Sequence, residues 1–575
     1  MDIDSAHFRQ QLLPILKAIS GASIITFDLE MSGIATRPKF SAGDRSHNVG
    51  KITLQQQYAE MKSAAEKYQV LQIGITCISE DHERDYYLAR PYNFTLSPLE
   101  ADGVDLRLNR DFTFSSSASG FLAKNGFDFG KVFKEGVPYL SRNEEIGRVK
   151  EYKQRADWTN QIPDIIVTAE DHNTMDFLQS ARLTVTAWLT DPKPKSNFVN
   201  VASTAGPLNG FQRRLVHQFI RNEFPTLRTF PRMDGSFMQV EKFDEAKELA
   251  IQNSRQASFN AKIAKQTGMR WIFEALSGGD LSGIDPEWFC RGLELKEAIA
   301  VKEEFKNIVK ALEGKKQIIV GHNLFTDLGF LYKTFIGTLP TSVKRFQEAI
   351  NELFPFIIDT KYLATHGTDN MNPRSNLKEL LAPFREVHVP LIVLHEDHTS
   401  YGTKYGKDHE AGYDSWMTAE LFVKLAAKLY AQRKDTLDEV SGSDSEEFLS
   451  APEEHLAEHD ESDGGAELAA VSSDEDLIGF SGDGSFGDSH PPEWHAKQMN
   501  PGAVAASSSG SEGEVDVGDE KEPEAGQWLP RMKHSFWDIY VNKLRVTACE
   551  GGVCDLAEHG GEEDVGDVGH KLTNL

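Results

Sequence analysis

Cysteine is scarce in this chain, with four residues in 575, Cys77, Cys290, Cys549 and Cys554. They are too scattered for a disulfide framework and lack the paired spacing of a zinc site, which points to a reducing compartment. Long apolar runs are also missing: nothing approaches the roughly 18 residues of a membrane span. The first segment, MDIDSAHFRQ, carries charge where a secretory leader would be apolar. The expectation is a soluble intracellular protein, in the nucleus or cytoplasm, with no membrane partner. Positive charge is in short supply as well, 61 Lys and Arg against 88 Asp and Glu for a net charge of −27. Spread evenly, that balance would repel a polyanion. It is not spread evenly: residues 436–525 hold 25 Asp and Glu against two Lys and Arg, residues 526–575 add −3, and residues 1–435 are left at −1. A near-neutral body is compatible with a nucleic-acid ligand.

What is present organises the chain. A length of 575 residues with 39% hydrophobic content calls for at least one full-size domain and additional segments. The stretches ASIITFDLE, YQVLQIGITCISE and RDYYLA, rich in β-branched and aromatic residues, predict strands in an antiparallel opening. Further on, QIIVGHN and FPFIIDT predict strands that each run into a helix, so the second half is α/β. Between them, FQRRLVHQFIRNEF predicts a short helix and KFDEAKELAIQNSRQASFNAKIAKQTGMRWIFEAL long helical sequence. The expected division is a first part of the main domain at 1–162, an inserted small domain at 163–243 and a second part of the main domain at 244–434. An acidic Ser/Gly-rich linker expected to be disordered follows at 435–525. A segment at 526–556, dense in aromatics such as Phe536, Trp537 and Tyr540, is expected to dock on the body, before a loose end at 557–575.

Three short patterns carry chemistry. In FDLEMSG, Asp28 and Glu30 lie two apart at the end of a strand and so share one face. Alone, such a pair is more often a solvated strand end. In IIVGHNLFTDLGFL, Asp327 falls in the first turn of a helix after a strand, near where open α/β sheets place ligands; a favourable charge at the helix dipole is the plainer reading. In HEAGYDSWMTAELF, His409 precedes Asp414 by five residues at a helix start. Taken together the four acids make sense as a cradle for divalent cations, because gathered carboxylates repel one another without them. Two Mg²⁺ ions, or Mn²⁺, about 4 Å apart suit phosphodiester hydrolysis, and a neutral histidine beside them suits a general base.

These patterns, with IIDTKYLA, resemble the motifs of DEDD exonucleases that carry a histidine-type third motif. The segments GFDFGKVFKEGVPYLSRNEE and FQRRLVHQFI are similar to the poly(A)-specific ribonuclease family over residues 1–432, and VNKLRV resembles a stretch that follows the nuclease in that family. The resemblance implies an α/β, ribonuclease H-like fold with an inserted small α+β domain for single-stranded nucleic acid, the latter marked by Arg213 and His217 one helical turn apart. It implies Asp28, Glu30, Asp327 and Asp414 as ligands for two Mg²⁺ (or Mn²⁺) ions, His409 as base, and Ser32, Ile34, Phe121, Asn323 and Lys361 as substrate contacts. The implied activity is 3′-to-5′ hydrolysis of RNA with a free 3′ hydroxyl, poly(A) foremost, releasing 5′-mononucleotides, from a homodimer. Met31, where the family often has an aromatic residue, and Ser119, where an apolar residue would help sandwich a base, imply a weaker adenine preference. Trimming of small non-coding RNA 3′ ends and a non-catalytic RNA-binding scaffold are the alternatives. No RNA-recognition motif is seen after the nuclease region, so the resemblance does not carry cap stimulation with it.

Overall fold

The computed structural model describes residues 1–35, 52–81, 83–158, 163–168, 170–366, 375–402, 409–441, 528–546 and 549–557. They form two compact units: residues 1–100, 108–141 and 267 onward make the first, and residues 101–107 with 142–266 make the second. The first unit opens with strands β1 (Asp2–Ile3), β2 (Ile24–Met31), β3 (Val70–Asp81), β4 (Tyr86–Ser97) and β5 (Val137–Pro138). The chain then enters the second unit for β6 (Phe198–Val201), β7 (Leu227–Arg232) and β8 (Phe237–Lys242). It returns for β9 (Ile319–Gly321), β10 (Ile357–Asp359), β11 (Leu391–Leu394), β12 (Lys543–Arg545) and β13 (Val553–Asp555).

The main sheet runs β1-β4-β3-β2-β9-β10, with β5 and β11 also paired to β4. β2, β3 and β4 form an antiparallel meander, and β9 and β10 continue it parallel to β2. This is the mixed α/β arrangement expected from the strand patterns. The alternation in IITFDLEM decides the facing: Ile25, Phe27 and Leu29 are buried among apolar neighbours, which sends Thr26, Asp28 and Glu30 to the opposite face. Across that face lies the helix Ala411–Ser441, whose Leu421, Phe422, Leu425 and Ala426 are buried in the same core as Val320, Ile358 and Tyr362. The helix carries the described chain past residue 435, where the linker was expected to begin; residues 442–527 and 558–575, with the rest of the linker and the loose end, lie outside the described residues.

The carboxy-terminal segment packs on the first unit. Trp537 is buried, stacks on Phe422 at 5.7 Å and meets Phe536 edge-on at 4.8 Å. Its indole N–H donates to the carbonyl of Pro530 at 3.0 Å, so the one polar atom of the ring is satisfied. Truncating such a side chain costs about 3–5 kcal/mol, which makes this residue a main anchor of the segment.

The second unit holds the antiparallel sheet β6-β8-β7 with the helices His172–Thr190 and Gly210–Glu223. Val185, Val216, Phe219, Met238 and Val240 form its core. A capping box between Asn209 and Gln212 starts the second of these helices. The unit is wider than the expected 163–243, because the helices Arg142–Trp158 and Glu245–Thr267 belong to it and are joined by Tyr152 stacking on Phe259 at 4.1 Å.

Candidate active site

Asp28 and Glu30 stand on the face of β2 that the helix Ala411–Ser441 covers, and three features bring that helix close. Gly74 is the register partner of Asp28 on β3, and a Cβ there would lie 1.8 Å from the carbonyl oxygen of Ala411. Only a residue without a side chain admits the helix start at this depth. The helix's first N–H groups, which have no partner within the helix, donate to side chains of the sheet. That of Ala411 reaches Gln72 Oε1 at 3.0 Å and that of Gly412 reaches Asn93 Oδ1 at 3.1 Å. One turn on, Thr26 donates to the Ser415 carbonyl at 2.7 Å, and the Ser415 and Thr76 hydroxyls meet at 2.9 Å. These four bonds from Ala411, Gly412 and Ser415 to the sheet hold the helix start in one position.

Asp414, in the first turn of this helix, thereby comes to Glu30. Ligand-capable atoms of Glu30, His409 and Asp414 all lie within 4.8 Å of one another. His409 has a left-handed backbone, φ 65°, and its ring meets Phe121 at 4.5 Å between centroids and 71° between planes. Asp327 joins from the first turn of the helix Phe325–Phe335, which packs so closely on the helix Leu54–Lys67 that a Cβ at Gly329 would lie 1.9 Å from Met61 Sδ. The electrostatics bind the set together. Burial and then the charge of Asp327 push the Asp28 carboxyl well above its ordinary range. Burial, then Asp28, Asp414 and Asp327, do the same to Glu30, and burial and then Asp359 do so to Asp327. Carboxyls so raised are a site in deficit of positive charge, and an all-oxygen set with one imidazole fits hard divalent cations such as Mg²⁺ or Mn²⁺.

The sequence reading gave no role to Asp359. It is fully buried, and its Oδ1 accepts the backbone N–H groups of Asn323 at 2.8 Å and Lys361 at 2.9 Å. Its Oδ2 accepts that of Arg545 at 2.9 Å. Burial raises its pKa, while these three N–H donors and the Lys361 charge oppose the rise. Next to it, His322 Nδ1 and the Thr360 hydroxyl meet at 2.9 Å, and Thr360 donates to the Gly321 carbonyl at 3.0 Å. Burial, then the charge of Lys361, push His322 down to about 3, so it is neutral.

The expected substrate contacts divide. Asn323, with φ 60°, and the buried Lys361 adjoin Asp327 through Asp359. Ile34 is half-buried in the loop after β2. Phe121 is half-buried, packed on the cluster of Leu71, Leu122 and Val132 as well as on His409, so core packing and site placement coincide in this residue. Ser32 is completely buried. Its hydroxyl donates to Thr113 O at 2.7 Å and accepts from Gln69 N at 3.0 Å, so it ties loops together. Ser119 Oγ is buried without a hydrogen-bond partner.

A model described as CAF1 family ribonuclease matches residues 3–422. The chain belongs to this family. Among relatives, it is 25% identical to the poly(A)-specific ribonuclease PARN of Danio rerio over 476 residues, 80% of this chain and 62% of that one. It is 26% identical to the pre-piRNA 3′-exonuclease trimmer of Bombyx mori over 437 residues, 74% of this chain and 71% of that one. An uncharacterised protein of Schizosaccharomyces pombe is 29% identical over 443 residues, 74% of this chain and 92% of its own. The chain thus spans less than two thirds of the PARN relative's length. A solved structure of S. pombe Pop2p in its Mg²⁺ and Mn²⁺ bound form is 12% identical, covering 75% of this chain and 93% of that one, with a TM-score of 0.33. A meander of three antiparallel strands continued by two parallel ones is the ribonuclease H-like arrangement that the motifs implied. No helix among the described residues is long and apolar enough to cross a membrane.

In the second unit, Arg213 and His217 lie on one face of the helix Gly210–Glu223, turned toward the β7–β8 hairpin. Arg213 donates to the Asp234 carbonyl at 3.2 Å, and a Cβ at Gly235, φ +85°, would lie 1.9 Å from its guanidinium. His217 Nδ1 bonds the Thr229 hydroxyl. Elsewhere in the unit a recess of about 530 Å³ is lined by Arg107, Arg148, Arg155, Arg255 and Lys262, with Asp105, Glu151, Tyr152 and Phe259.

Proposed function

We propose that this chain is a metal-dependent 3′-to-5′ exoribonuclease acting on RNA with a free 3′ hydroxyl, poly(A) foremost, and releasing 5′-mononucleotides. The observation that carries the proposal is the approach of Glu30, His409 and Asp414 to within 4.8 Å, beside Asp28 and Asp327, whose raised carboxyls call for cations. Asp28, Glu30, Asp327 and Asp414 would hold two Mg²⁺ or Mn²⁺ ions, which supply Lewis-acid stabilisation to the attacking and leaving oxygens when bound. His409 takes the proton of the attacking water, and Phe121 holds the imidazole edge-to-face. Asn323, Lys361 and Ile34 line the place of the terminal nucleotides. The second unit contributes phosphate contacts through its basic recess, and the family resemblance supports a homodimer.

The test is hydrolysis of 5′-labelled homopolymer RNAs with and without EDTA. Stepwise shortening from the 3′ end, abolished by EDTA and restored by Mg²⁺, is expected, with poly(A) degraded faster than poly(U) or poly(C). Internal cleavage, or activity in EDTA, would overturn the reading. Equal rates on all homopolymers would remove poly(A) as the preferred substrate and favour 3′-end trimming, as the name of the Bombyx mori relative describes for that protein.

A further inference from the structure

The carboxy-terminal segment returns to the sheet at a particular place, the free edge of β10, whose last residue is Asp359. Val541 forms an antiparallel bridge with Ile358. The side chain of Asn542, held at φ 62°, accepts from the Ile357 N–H at 3.1 Å and donates to Pro355 O at 2.8 Å, while its own N–H donates to Ile357 O at 2.8 Å. The hairpin β12–β13 then fixes the facing of Arg545. The chain on either side bonds across the hairpin, Leu556 N to Asn542 O at 2.7 Å and Val546 N to Gly552 O at 2.9 Å. By the alternation of antiparallel ladders, Lys543 and Arg545 are therefore the residues whose N–H groups point away from β13. That of Arg545 points at Asp359 Oδ2, 2.9 Å away.

We propose that residues 528–546 and 549–557 are a working part of the substrate site, and that the backbone N–H of Arg545 is a positioning group for it. Asp359 has one oxygen on Arg545 and the other on the N–H groups of both Asn323 and Lys361. A carboxylate held from one side by the strap presents its other oxygen in a fixed place, and that place sets the left-handed backbone at Asn323 and the start of the short helix that carries Lys361. Release of Oδ2 frees the carboxylate to turn about its χ angles, and the loop that positions the terminal nucleotide loosens with it. The acids on β2 and on the helix Ala411–Ser441 are fixed by other contacts, and Asp327 by the close packing of its own helix on Met61, so the effect falls on substrate placement. The inference rests on the reading of this site as an RNA 3′-end pocket.

Arg545→Pro in the full chain removes this one N–H and leaves the hairpin's own bonds, because that N–H is not part of its ladder. The expected result is a rise in KM for a 3′-hydroxyl RNA oligonucleotide of at least about tenfold, with kcat within threefold and thermal unfolding nearly unchanged. Arg545→Ala, which keeps the N–H, should raise KM at least about fivefold less than the proline variant. Asp359→Asn, which keeps one carbonyl oxygen for Asn323 and Lys361 but places N–H against N–H at Arg545, should repeat the proline variant's rise in KM, and this rise carries the test if the proline variant does not fold; its kcat is not compared, because the charge it removes also acts on Asp327. Asp28→Ala is run beside them. An active Asp28→Ala protein overturns the reading of the site and this inference with it. An inactive one, together with an unchanged KM in Arg545→Pro or Asp359→Asn, or equal losses in the alanine and proline variants, overturns the strap's role alone.

Discussion

The two units treat charge in opposite ways. In the first, Asp28, Glu30 and Asp327 are desolvated and raise one another's pKa values. In the second, three of the arginines around the recess are solvent-accessible and paired with carboxylates: Arg148 with Glu151 at 2.8 Å, Arg155 with Glu151 at 3.6 Å and Arg107 with Asp105 at 4.0 Å. Pairs of the second kind contribute little to stability, about 0–1 kcal/mol, and an arginine in one can exchange a carboxylate for a phosphate at small cost. Clusters of the first kind burden the fold unless a cation fills them. On the proposed function, the difference divides chemistry from grip: damage to the first unit's acids should appear in kcat, and damage to the second unit's bases in KM.

The largest effect should follow from Asp28→Asn. With Asp28 holding an ion as proposed, its loss removes transition-state stabilisation of several kcal/mol, about 10³-fold or more in rate at 1.36 kcal/mol per tenfold. His409→Ala, which removes the proposed base and leaves the carboxylates, should cost about 10²- to 10⁴-fold. Stability should move the other way. The Asp28 carboxyl is raised in the folded state, so its ionisation opposes folding; this cost is absent below the unfolded pKa and grows as pH rises toward the folded one. In EDTA the unmodified protein should therefore lose thermal stability between pH 5 and pH 8, Asp28→Asn should lose less, and Mg²⁺ should stabilise only the former strongly. A variant no more stable than the unmodified chain in EDTA at pH 8 would mean that the acids are not in mutual repulsion.

Gly74 offers a way to damage the same site without touching its charges. Gly74→Ala puts a methyl group 1.8 Å from Ala411 O and 2.4 Å from Gly412 N, both backbone atoms, so the helix start must move. Overpacking of this kind costs about 1–3 kcal/mol, and a displacement near 1 Å of a reacting group costs about 10²-fold in rate. The variant should fold with a lower unfolding midpoint and lose about 10²-fold in kcat, while Gln72→Glu, which keeps an acceptor for Ala411 N, loses less. Wild-type kcat in Gly74→Ala would show that Asp414 does not depend on this approach.

The contrast also explains what the sequence made legible. Strand β2 and the shared face of Asp28 and Glu30 follow from local alternation, and Asp327 and Asp414 from apolar patterns that start helices. The helix Gly210–Glu223 and the aromatic density around Trp537 were visible for the same reason. What was hidden lies in contacts between distant residues. Gly74 reads as an ordinary strand glycine until Ala411 sits on it. Asp359 reads as the end of IIDT until Arg545, 186 residues away, donates to it. The bond of Ser32 to Thr113 crosses 81 residues, and no local pattern announces it. The second unit's width depends on Tyr152 meeting Phe259, and no periodicity of either helix announces that pair.

The smallest effect belongs to the second unit, and it separates grip from bracing. Arg255 and Lys262 line the recess, whereas Arg213 is bonded to Asp234 O over the Gly235 turn. If the recess holds RNA phosphates, Arg255→Gln with Lys262→Gln should raise KM severalfold at low salt with kcat unchanged. It should also flatten the dependence of log KM on log salt by about 1.4, at roughly 0.7 per phosphate contact on a single strand. Arg213→Ala should instead lower the unfolding midpoint, because it frees a turn and loses a hydrogen bond worth about 1 kcal/mol, with little change in the salt slope. Reversal of the two outcomes would place the RNA contact on the Arg213–His217 face and make the recess a bystander. Loss of salt dependence in neither variant would return the grip to the first unit and remove the division of labour that the charge pattern suggests.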